Sequence, residues 1–302
     1  MSSTRPATWV KPRARASVDG VVSTAAIAIT SITTDSGASA TDYITSDNTL
    51  VFNGTLGAAL AADEKAQISL DGGATWLDST VSGTTWSYDN QAATLADGTY
   101  NAQVRVIDTA GNVGQTASQS VTVDGVVSTA AIAITSITTD SGASATDYIT
   151  NDNTLVFNGT LGAALAADEK AQISLDGGVT WLDSTVSGTT WSYDNQAATL
   201  ADGTYNVQVR VIDTAGNVGQ TASQSVVIDG AVSTAAIAIT SITTDSGASA
   251  TDYITSDNTL VFNGTLGAAL AADEKAQISL DGGVTWLDST VSGTTWSYDN
   301  QA

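Results

Sequence analysis

Carboxylate side chains are the most abundant chemically active groups in this sequence, and they recur at fixed spacing. Residues 19–123 hold eleven acids against two basic residues, Lys65 and Arg105, which gives this segment a net charge of −9. The acids are Asp19, Asp35, Asp42, Asp47, Asp63, Glu64, Asp71, Asp78, Asp89, Asp97 and Asp108. Such a supply of oxygen ligands predicts hard cations, above all Ca²⁺, as partners. The same charge repels nucleic acid and anionic membranes, so neither is expected to bind.

Two residue types that carry much of enzyme chemistry do not occur. The chain contains no His and no Cys in 302 residues. Without His it lacks the commonest general base and neutral metal ligand, and without Cys it lacks thiolate nucleophiles, thiolate zinc sites and disulfides. We therefore expect a protein that is not an enzyme. The lack of Cys leaves the compartment open, because a segment of about 100 residues buries enough core to fold without disulfides.

A 105-residue unit accounts for nearly the whole chain. Residues 19–123 recur as 124–228, and the unit begins again at Asp229 and runs to Ala302. The two full copies differ at five positions, Ser46/Asn151, Ala74/Val179, Ala102/Val207, Thr122/Val227 and Val123/Ile228. An active site is normally built once, whereas a tandem array supplies length, spacing or many equal binding sites. The predicted organisation is thus a basic, disordered segment 1–18, two complete domains 19–123 and 124–228, and a truncated domain 229–302.

The ends of the chain do not match complete repeats. Residues 1–18 are basic and lack the apolar core of a secretory signal, and no apolar stretch is long enough to span a membrane. The third copy stops at Ala302, so it has no counterpart of residues 93–123. We expect the chain to be a fragment of a longer array whose export signal and anchor lie elsewhere. We also predict that the third copy is unstable, because the loss of its last two strands exposes a sheet edge and core.

The periodicity of one unit is that of β-strands. Apolar and polar residues alternate over short stretches separated by Gly- and Asp-rich turns, and no helical period persists. These stretches lie in residues 27–30, 50–52, 65–70, 86–88, 100–106 and 121–123. About seven half-buried strands in about 100 residues predict an all-β fold of immunoglobulin-like sandwiches. Trp76 and Trp86 are predicted to anchor the core.

Two local motifs support the sandwich. Asp97-Gly98-Thr99-Tyr100 places a Tyr at the start of a strand after a tight turn, which predicts a tyrosine corner whose hydroxyl bonds to the backbone upstream. Residues 108–112 read Asp-Thr-Ala-Gly-Asn, with Gly and Asn available where a turn needs positive φ.

These motifs, taken together, resemble the bacterial Ig-like repeats of large surface adhesins, of the biofilm-associated and type I-secreted kinds. The resemblance covers residues 19–302 and rests on Thr34-Asp35-Ser36-Gly37, on residues 41–49, on Asn53-Gly54-Thr55, and on the segments 97–100 and 108–112. It implies extended extracellular rods of Ig-like domains, many of which bind Ca²⁺ at the junctions between domains. One departure is that the linker reads Asp-Gly-Val-Val-Ser-Thr over residues 124–129, without the Pro that related linkers often carry.

The resemblance and the topology of a sandwich together predict which acids share an ion. The loop after the first strand and the turn holding Asp97 lie at the far end of a domain, while the 108–112 turn lies at the near end. The first junction is therefore expected to bind Ca²⁺ through Asp35, Asp42, Asp47, Asp97, Asp124, Asp213 and Asn217. For the second junction the expected ligands are Asp140, Asp147, Asp152, Asp202 and Asp229. Because Asp is also a common turn and capping residue, these positions have a purely structural interpretation as well.

One motif indicates a different function. Residues 69–76 fit the Ser-x-Asp-x-Gly-x-Thr-Trp pattern, the Asp-box of sialidase propellers, in which Asp and Gly form a hairpin turn and Trp packs beneath it. A propeller would repeat every 40–50 residues or so, and a sialidase would need several Arg where each repeat has one. The motif is therefore interpreted as a hairpin device.

The sequence thus predicts stalk repeats of a bacterial cell-surface adhesin that Ca²⁺ stiffens at the junctions and that support cell adhesion and biofilm formation. The expected partners are the neighbouring repeats, Ca²⁺ and, through regions outside this chain, a host or matrix surface. The alternative is a repeated carbohydrate- or protein-binding Ig-like module that acts by avidity.

Overall fold

A computed structural model describes Gly20, residues 23–142 and residues 144–300, and these residues form an all-β protein. The prediction for residues 1–18 lies outside the described residues. The fold groups into two compact units, one that ends at Ile228 and one that starts at Asp229. The described part of the chain contains no apolar helix long enough to cross a bilayer.

Each full repeat contributes nine strands with matching bounds. Those of the first are β1 Ile27–Ile32, β2 Ile44–Thr45, β3 Val51–Leu56, β4 Glu64–Ser69, β5 Leu77–Asp78, β6 Thr80–Ser82, β7 Thr85–Asp89, β8 Gly98–Asp108 and β9 Val113–Val123. Those of the second are β10 Ile132–Ile137, β11 Ile149–Thr150, β12 Val156–Leu161, β13 Glu169–Ser174, β14 Leu182–Asp183, β15 Thr185–Ser187, β16 Thr190–Asp194, β17 Gly203–Asp213 and β18 Val218–Ile228.

Two sheets face each other in both complete repeats. In the first, a four-stranded sheet has the order β1-β3-β7-β6 and a five-stranded sheet the order β2-β9-β8-β4-β5. The second repeat has the same orders, β10-β12-β16-β15 and β11-β18-β17-β13-β14. All pairings are antiparallel except the short β2–β9 and β11–β18 pairs. The prediction of tandem Ig-like sandwiches is therefore confirmed.

The core lies between the sheets and follows the alternation of the sequence. From Ala102 to the end of β8 every second residue is buried, and Val104 and Val106 are fully enclosed, as is Phe52 of β3. Trp86 is 2% exposed and its indole N–H donates to the carbonyl of Ala28 at 3.1 Å. A side chain at the facing Gly54 would place its Cβ 2.4 Å from the Trp86 ring, so the core requires glycine there.

Trp76 does not anchor the core, and that prediction was wrong for this residue. It is only half-buried, and its ring lies 4.0 Å below the guanidinium of Arg105 on the outer face of the five-stranded sheet. Arg105 also donates through Nε and Nη2 to Gln67 Oε1, at 3.0 and 2.8 Å. The indole therefore stacks against the guanidinium of Arg105 outside the core instead of packing between the sheets.

The predicted tyrosine corner is confirmed. The hydroxyl of Tyr100 donates to the carbonyl of Ala96 at 2.8 Å, and Tyr205 does the same to Ala201 at 2.9 Å. These bonds fix the chain where it enters β8 and β17, the longest strands of each sandwich together with their hairpin partners.

The unit that starts at Asp229 has fewer strands. They are β19 Ile237–Ile242, β20 Val261–Leu266, β21 Gln277–Ile278, β22 Leu287–Asp288, β23 Thr290–Ser292 and β24 Thr295–Asp299. A four-stranded sheet of order β19-β20-β24-β23 repeats the first sheet of the other domains. The second sheet is reduced to β21 and β22, since the described residues contain no counterpart of the long β8–β9 hairpin.

Candidate functional site at the junction of the first two repeats

The turn at residues 213–217, here called the docking turn, is held rigid by its own side chains. Asp213 accepts hydrogen bonds from the backbone N–H of Asn217 at 2.9 Å and from its side-chain amide at 2.8 Å. Gly216 has a φ of +92°, which glycine adopts without strain. In the equivalent turn of the first repeat, hydrogen bonds led by the Asn112 side chain lower the pKa of Asp108. The docking turn is thus shaped within its own domain.

The loop at residues 35–48, here called the far-end loop, is ordered in the same way. Asp35 Oδ2 accepts the backbone N–H of Tyr43 at 3.1 Å, and Ser36 Oγ accepts that of Ser46 at 2.8 Å. Tyr43, within the loop, and Thr34, directly before the loop, have positive φ values of 62° and 52°. Non-glycine residues hold such angles only where surrounding contacts enforce them. These polar contacts therefore fix the loop before it meets another domain.

The far-end loop of the first repeat packs directly on the docking turn of the second. Ser36 Oγ donates to the carbonyl of Ala215 at 2.7 Å, and the N–H of Ala38 points at the carbonyl of Thr214 at 3.4 Å. Ala215 is 0% exposed, whereas its counterpart Ala110 is exposed. The contact is close enough that a Cβ on Gly37 would lie 2.1 Å from the Thr214 carbonyl oxygen.

The linker is bonded to both domains. The side-chain amide of Asn217 donates to the carbonyl of Asp124 at 2.7 Å, and the N–H of Asp124 donates to the carbonyl of Thr45 at 2.9 Å. One residue further, the N–H of Gly125 donates to Asp97 Oδ1 at 3.0 Å. The chain is therefore clamped at the point where it passes from one sandwich to the next.

The predicted ligands of the first junction fall into two groups. Asp97, Asp124, Asp213 and Asn217 lie on one connected set of hydrogen bonds around the linker. The other three, Asp35, Asp42 and Asp47, instead bond within the far-end loop, to the N–H groups of Tyr43 at 3.1 Å, Ile44 at 3.0 Å and Thr49 at 2.8 Å.

Among the predicted ligands of the second junction, three acids take the corresponding roles within their own loop. Asp140, Asp147 and Asp152 accept the N–H groups of Tyr148, Ile149 and Thr154 at 3.0, 3.1 and 2.9 Å. Asp229 accepts the N–H of Ala231 at 3.1 Å, and Asp202 is exposed. Hydrogen bonds led by the Thr154 N–H lower the pKa of Asp152.

The fit of these residues to Ca²⁺ is partial. Their donors are the hard oxygens that Ca²⁺ prefers, and Asp35 Oδ1 is buried with no hydrogen-bond partner among the described residues, as are Asp140 Oδ1 and Asp245 Oδ1. However, in the part of the chain that the structure describes, no three acidic side chains lie close enough together to hold a metal ion.

Sequence reasoning missed the residues that make the direct contact. Ser36, Gly37, Thr214, Ala215 and Gly216 are small and carry no charge, so nothing in their types marks them as an interface. The topology of the sandwich predicted that these two segments lie at the same junction, but it marked only their acids, because Gly with small polar neighbours is common to most tight turns.

The Asp-box motif proves to be a hairpin device, as interpreted. Asp71 Oδ1 accepts from Ser69 Oγ at 2.7 Å and from the N–H of Thr75 at 2.8 Å, and Asp71 Oδ2 accepts from Thr75 Oγ1 at 2.6 Å. The Trp76 indole N–H donates to the carbonyl of Gly73 at 3.1 Å and closes the turn. These bonds, led by that of the Thr75 hydroxyl, lower the pKa of Asp71 to about 2.

Comparison with known proteins identifies the family of the chain. Residues 22–125 and 127–230 each match the model of the bacterial Ig-like domain. Among solved structures, the fibronectin(III)-like modules of Clostridium thermocellum CbhA are 13% identical over 67% of this chain and 93% of theirs, with a TM-score of 0.40. A 1.5-MDa bacterial ice-binding adhesin is 18% identical over 92% of this chain and 87% of its own, with a TM-score of 0.30. No curated protein matches the sequence. Because the two family matches cover most of the chain, it belongs to the family of bacterial Ig-like domains.

Proposed function

We propose that this chain is a segment of the stalk of a bacterial surface adhesin, where it sets the spacing and orientation of consecutive Ig-like domains and so supports cell adhesion and biofilm formation. The observation that carries the proposal is the junction. The linker is bonded to both domains, and the docking turn of the second repeat packs on the far-end loop of the first. These contacts restrict rotation of one domain relative to the other, as a spacer under load requires. The near identity of the repeats, which differ at five positions, fits a role in which every unit does the same work.

The proposal places the protein outside the cell, at the bacterial surface. Members of this family that extend a binding head away from the cell need length, solubility and resistance to bending. The net charge of −22 keeps such an array soluble and repels anionic surfaces. No catalytic role is part of the proposal.

Ca²⁺ is the second component of the proposal. The eleven acids of each full repeat repel one another, so a divalent cation near the linker would relieve repulsion and hold the domains together. We propose that Asp97, Asp124, Asp213 and Asn217 hold it there, with Asp35 as the other candidate because of its unpartnered buried oxygen. The docked contact through Ser36 and Gly37 needs no ion, so the two components are separable by experiment.

A distance measurement across the junction tests the spacer role. The chain has no Cys, so Ser82→Cys and Ser187→Cys place one spin label on each of the first two domains at exposed equivalent positions. We expect a narrow distance distribution in the parent chain and a broad one after Gly37→Ala. Gly142→Ala, at the same place in the second repeat, is the matched control and should leave this distance unchanged. An equally broad distribution in the parent chain would refute a spacer built on a fixed junction.

Thermal melts in Ca²⁺ and in excess chelator test the ion. We expect a higher midpoint in Ca²⁺ that Asp124→Ala reduces, because a ligand that binds only the folded state stabilises it. The control is Asp63→Asn, an exposed acid in the turn before β4. Identical melts with and without Ca²⁺ would remove the ion from the proposal and leave the direct contact as the source of stiffness.

A second candidate function is a repeated binding module. Each repeat carries a shallow groove on its four-stranded sheet, of about 350, 340 and 340 Å³ in the three copies. In the first copy it is lined by Thr30, Asn53, Thr55, Thr80, Ser82, Thr85 and Ser87. Uncharged hydroxyl and amide groups could bond to a neutral oligosaccharide, although the Trp86 face is buried in the core and cannot stack on a sugar. A glycan array would test this, since a pure spacer binds nothing.

A further inference from the structure

One of the five positions at which the two full repeats differ lies in the far-end loop. Residue 46 is Ser in the first repeat, and its counterpart in the second repeat is Asn151. The other four differences lie in the hairpin turn of the Asp-box motif and in the long strands, at Ala74/Val179, Ala102/Val207, Thr122/Val227 and Val123/Ile228. Position 46 is therefore the one difference in sequence between the two far-end loops.

The hydroxyl of Ser36 has a single proton, and the first junction uses it. Ser36 Oγ donates to the carbonyl of Ala215 at 2.7 Å and accepts the N–H of Ser46 at 2.8 Å. The neighbouring Thr45 Oγ1 donates its own proton to the carbonyl of Thr34 at 2.6 Å. The hydroxyl of Ser46, whose oxygen lies 3.0 Å from Ser36 Oγ, is therefore the donor in that pair. Every contact within the loop thus leaves the Ser36 proton to the next domain.

The equivalent hydroxyl of the second repeat has a different partner. Ser141 Oγ accepts the N–H of Asn151 at 2.9 Å, as Ser36 Oγ does from its own partner. It also donates to Asn151 Oδ1 at 2.8 Å, an oxygen that has no proton to give. The Thr150 hydroxyl is again engaged with a backbone carbonyl, that of Thr139. The single proton of Ser141 is therefore held inside the loop.

The two loops have the same backbone, so this change in hydrogen bonding comes from the side chain alone. Tyr43 and Tyr148 both have a φ of 62°, and those of Gly37 and Gly142 are +98° and +97°. The loop thus accepts either Ser or Asn at this position without rearrangement.

We propose that Ser46 controls how firmly the far-end loop packs on the docking turn. Ser at this position donates to Ser36 and keeps the Ser36 hydroxyl directed at the Ala215 carbonyl, whereas Asn withdraws that proton into the loop. The side-chain carbonyl of Asn competes well, because it lies in the same loop and binds without the ordering of two domains. The inference rests on the proposed spacer role, to which it adds a position where one substitution loosens a junction.

The test measures the distance between the first two domains in the full chain, with spin labels at Ser82→Cys and Ser187→Cys. Ser46→Asn should lower the ratio of the narrow to the broad component about fivefold, the effect of losing one typical hydrogen bond. Ser46→Leu matches the shape of Asn and has no acceptor, so it should change the ratio by no more than about twofold. Ser256→Asn, the same substitution in the identical loop segment of the third repeat, is the matched control and should leave this distance unchanged.

A double-mutant cycle tests whether residue 46 acts through Ser36. Ser36→Ala should itself lower the ratio as Ser46→Asn does, and adding Ser46→Asn to it should have no further effect. Far-end loops that stay docked in Ser46→Asn, an equal loss in Ser46→Leu, or full additivity with Ser36→Ala would each overturn the inference. In all three cases a narrow distribution in the parent chain keeps the spacer role intact. A broad distribution in the parent chain overturns the spacer role and this inference with it.

Discussion

At the scale of single residues, identical amino acids take different roles in different copies. Gly37 lies against the Thr214 carbonyl, whereas at Gly142 the nearest atom that an added Cβ would meet is the carbonyl oxygen of Ile149, at 4.0 Å. Their φ values are +98° and +97°, so their backbone requirements are the same. Comparing the same substitution at Gly37 and at Gly142 therefore separates its effect on the turn from its effect on the contact between domains.

Gly37→Ala should destabilise the junction more than Gly142→Ala. Both substitutions strain a left-handed backbone, but only the first places a Cβ 2.1 Å from a carbonyl oxygen of the next domain. We expect the difference in free energy of unfolding to be about 1–3 kcal/mol, as for overpacked contacts in general. Chemical denaturation of the two variants measures it, and equal losses would show that the contact contributes no stability.

Asp71→Asn should lower the melting temperature at neutral pH and lose its effect in acid. The folded pKa of about 2 lies below the value of about 3.9 expected in the unfolded chain. The ionised carboxylate therefore stabilises the hairpin above the unfolded pKa, and this contribution disappears as pH falls through the folded pKa. Melts of variant and parent over this range should converge at the acid end. Asp63→Asn is the control, and a constant gap between Asp71→Asn and parent would contradict the assignment.

At the scale of elements, the long hairpin carries most of what completes a sandwich. β8 pairs with both β4 and β9, and its inward residues Ala102, Val104 and Val106 are fully buried. The tyrosine corner fixes its first residues, and Arg105 holds Trp76 on its outer face. The hairpin thus contributes buried side chains to the core, strand pairing to the five-stranded sheet and Arg105 to the outer face of one domain.

Tyr100→Phe should cost about 1 kcal/mol, the net value of a typical hydrogen bond, because it removes the bond to Ala96 and leaves the ring in place. The double variant with Tyr205→Phe should lose about twice as much in total, since the two residues lie in separate cores. Urea denaturation measures both. Tyr88→Phe, which takes no part in the corner, is the control, and a loss as large as that of Tyr100→Phe would show that the corner has no special role.

At the scale of the whole molecule, stability is expected to be uneven. The two complete repeats each enclose a core of thirteen buried apolar residues, whereas four buried apolar residues form that of the third. The third repeat also keeps an unpaired edge at β21 in the described part of the chain. Such a domain opens more readily than its complete neighbours.

The third repeat should therefore unfold first. Strands β3, β12 and β20 share the sequence Val-Phe-Asn-Gly-Thr-Leu, so their intrinsic exchange rates are equal and differences in protection report stability alone. We expect amides of β20 to exchange faster than those of β12 by hydrogen–deuterium exchange. Equal protection would show that the third repeat is as stable as the others.

Much of the fold was predictable because it depends on local pattern. Alternating residues located the strands of the core, and Asp97 to Tyr100 indicated the corner that the structure contains. Trp76 was misjudged because a large apolar ring in a strand-rich domain usually packs inside, and its partner Arg105 is distant in sequence. The register of β4 against β8 places Gln67 opposite Arg105, and the pairing of β5 with β4 brings Trp76 beside them.

The sequence by itself determined the repeat, the all-β class, the acidic surface and the turns, because each depends on residue type and short spacing. The sequence also predicted which loops meet at the first junction, but only the tertiary structure decided how they meet. The far-end loop docks on residues 213–217, nearly 180 positions away, through small, uncharged residues that have no distinguishing chemistry until the fold apposes them. Likewise, the same Ile and Trp side chains are core or surface according to whether the long hairpin lies over them.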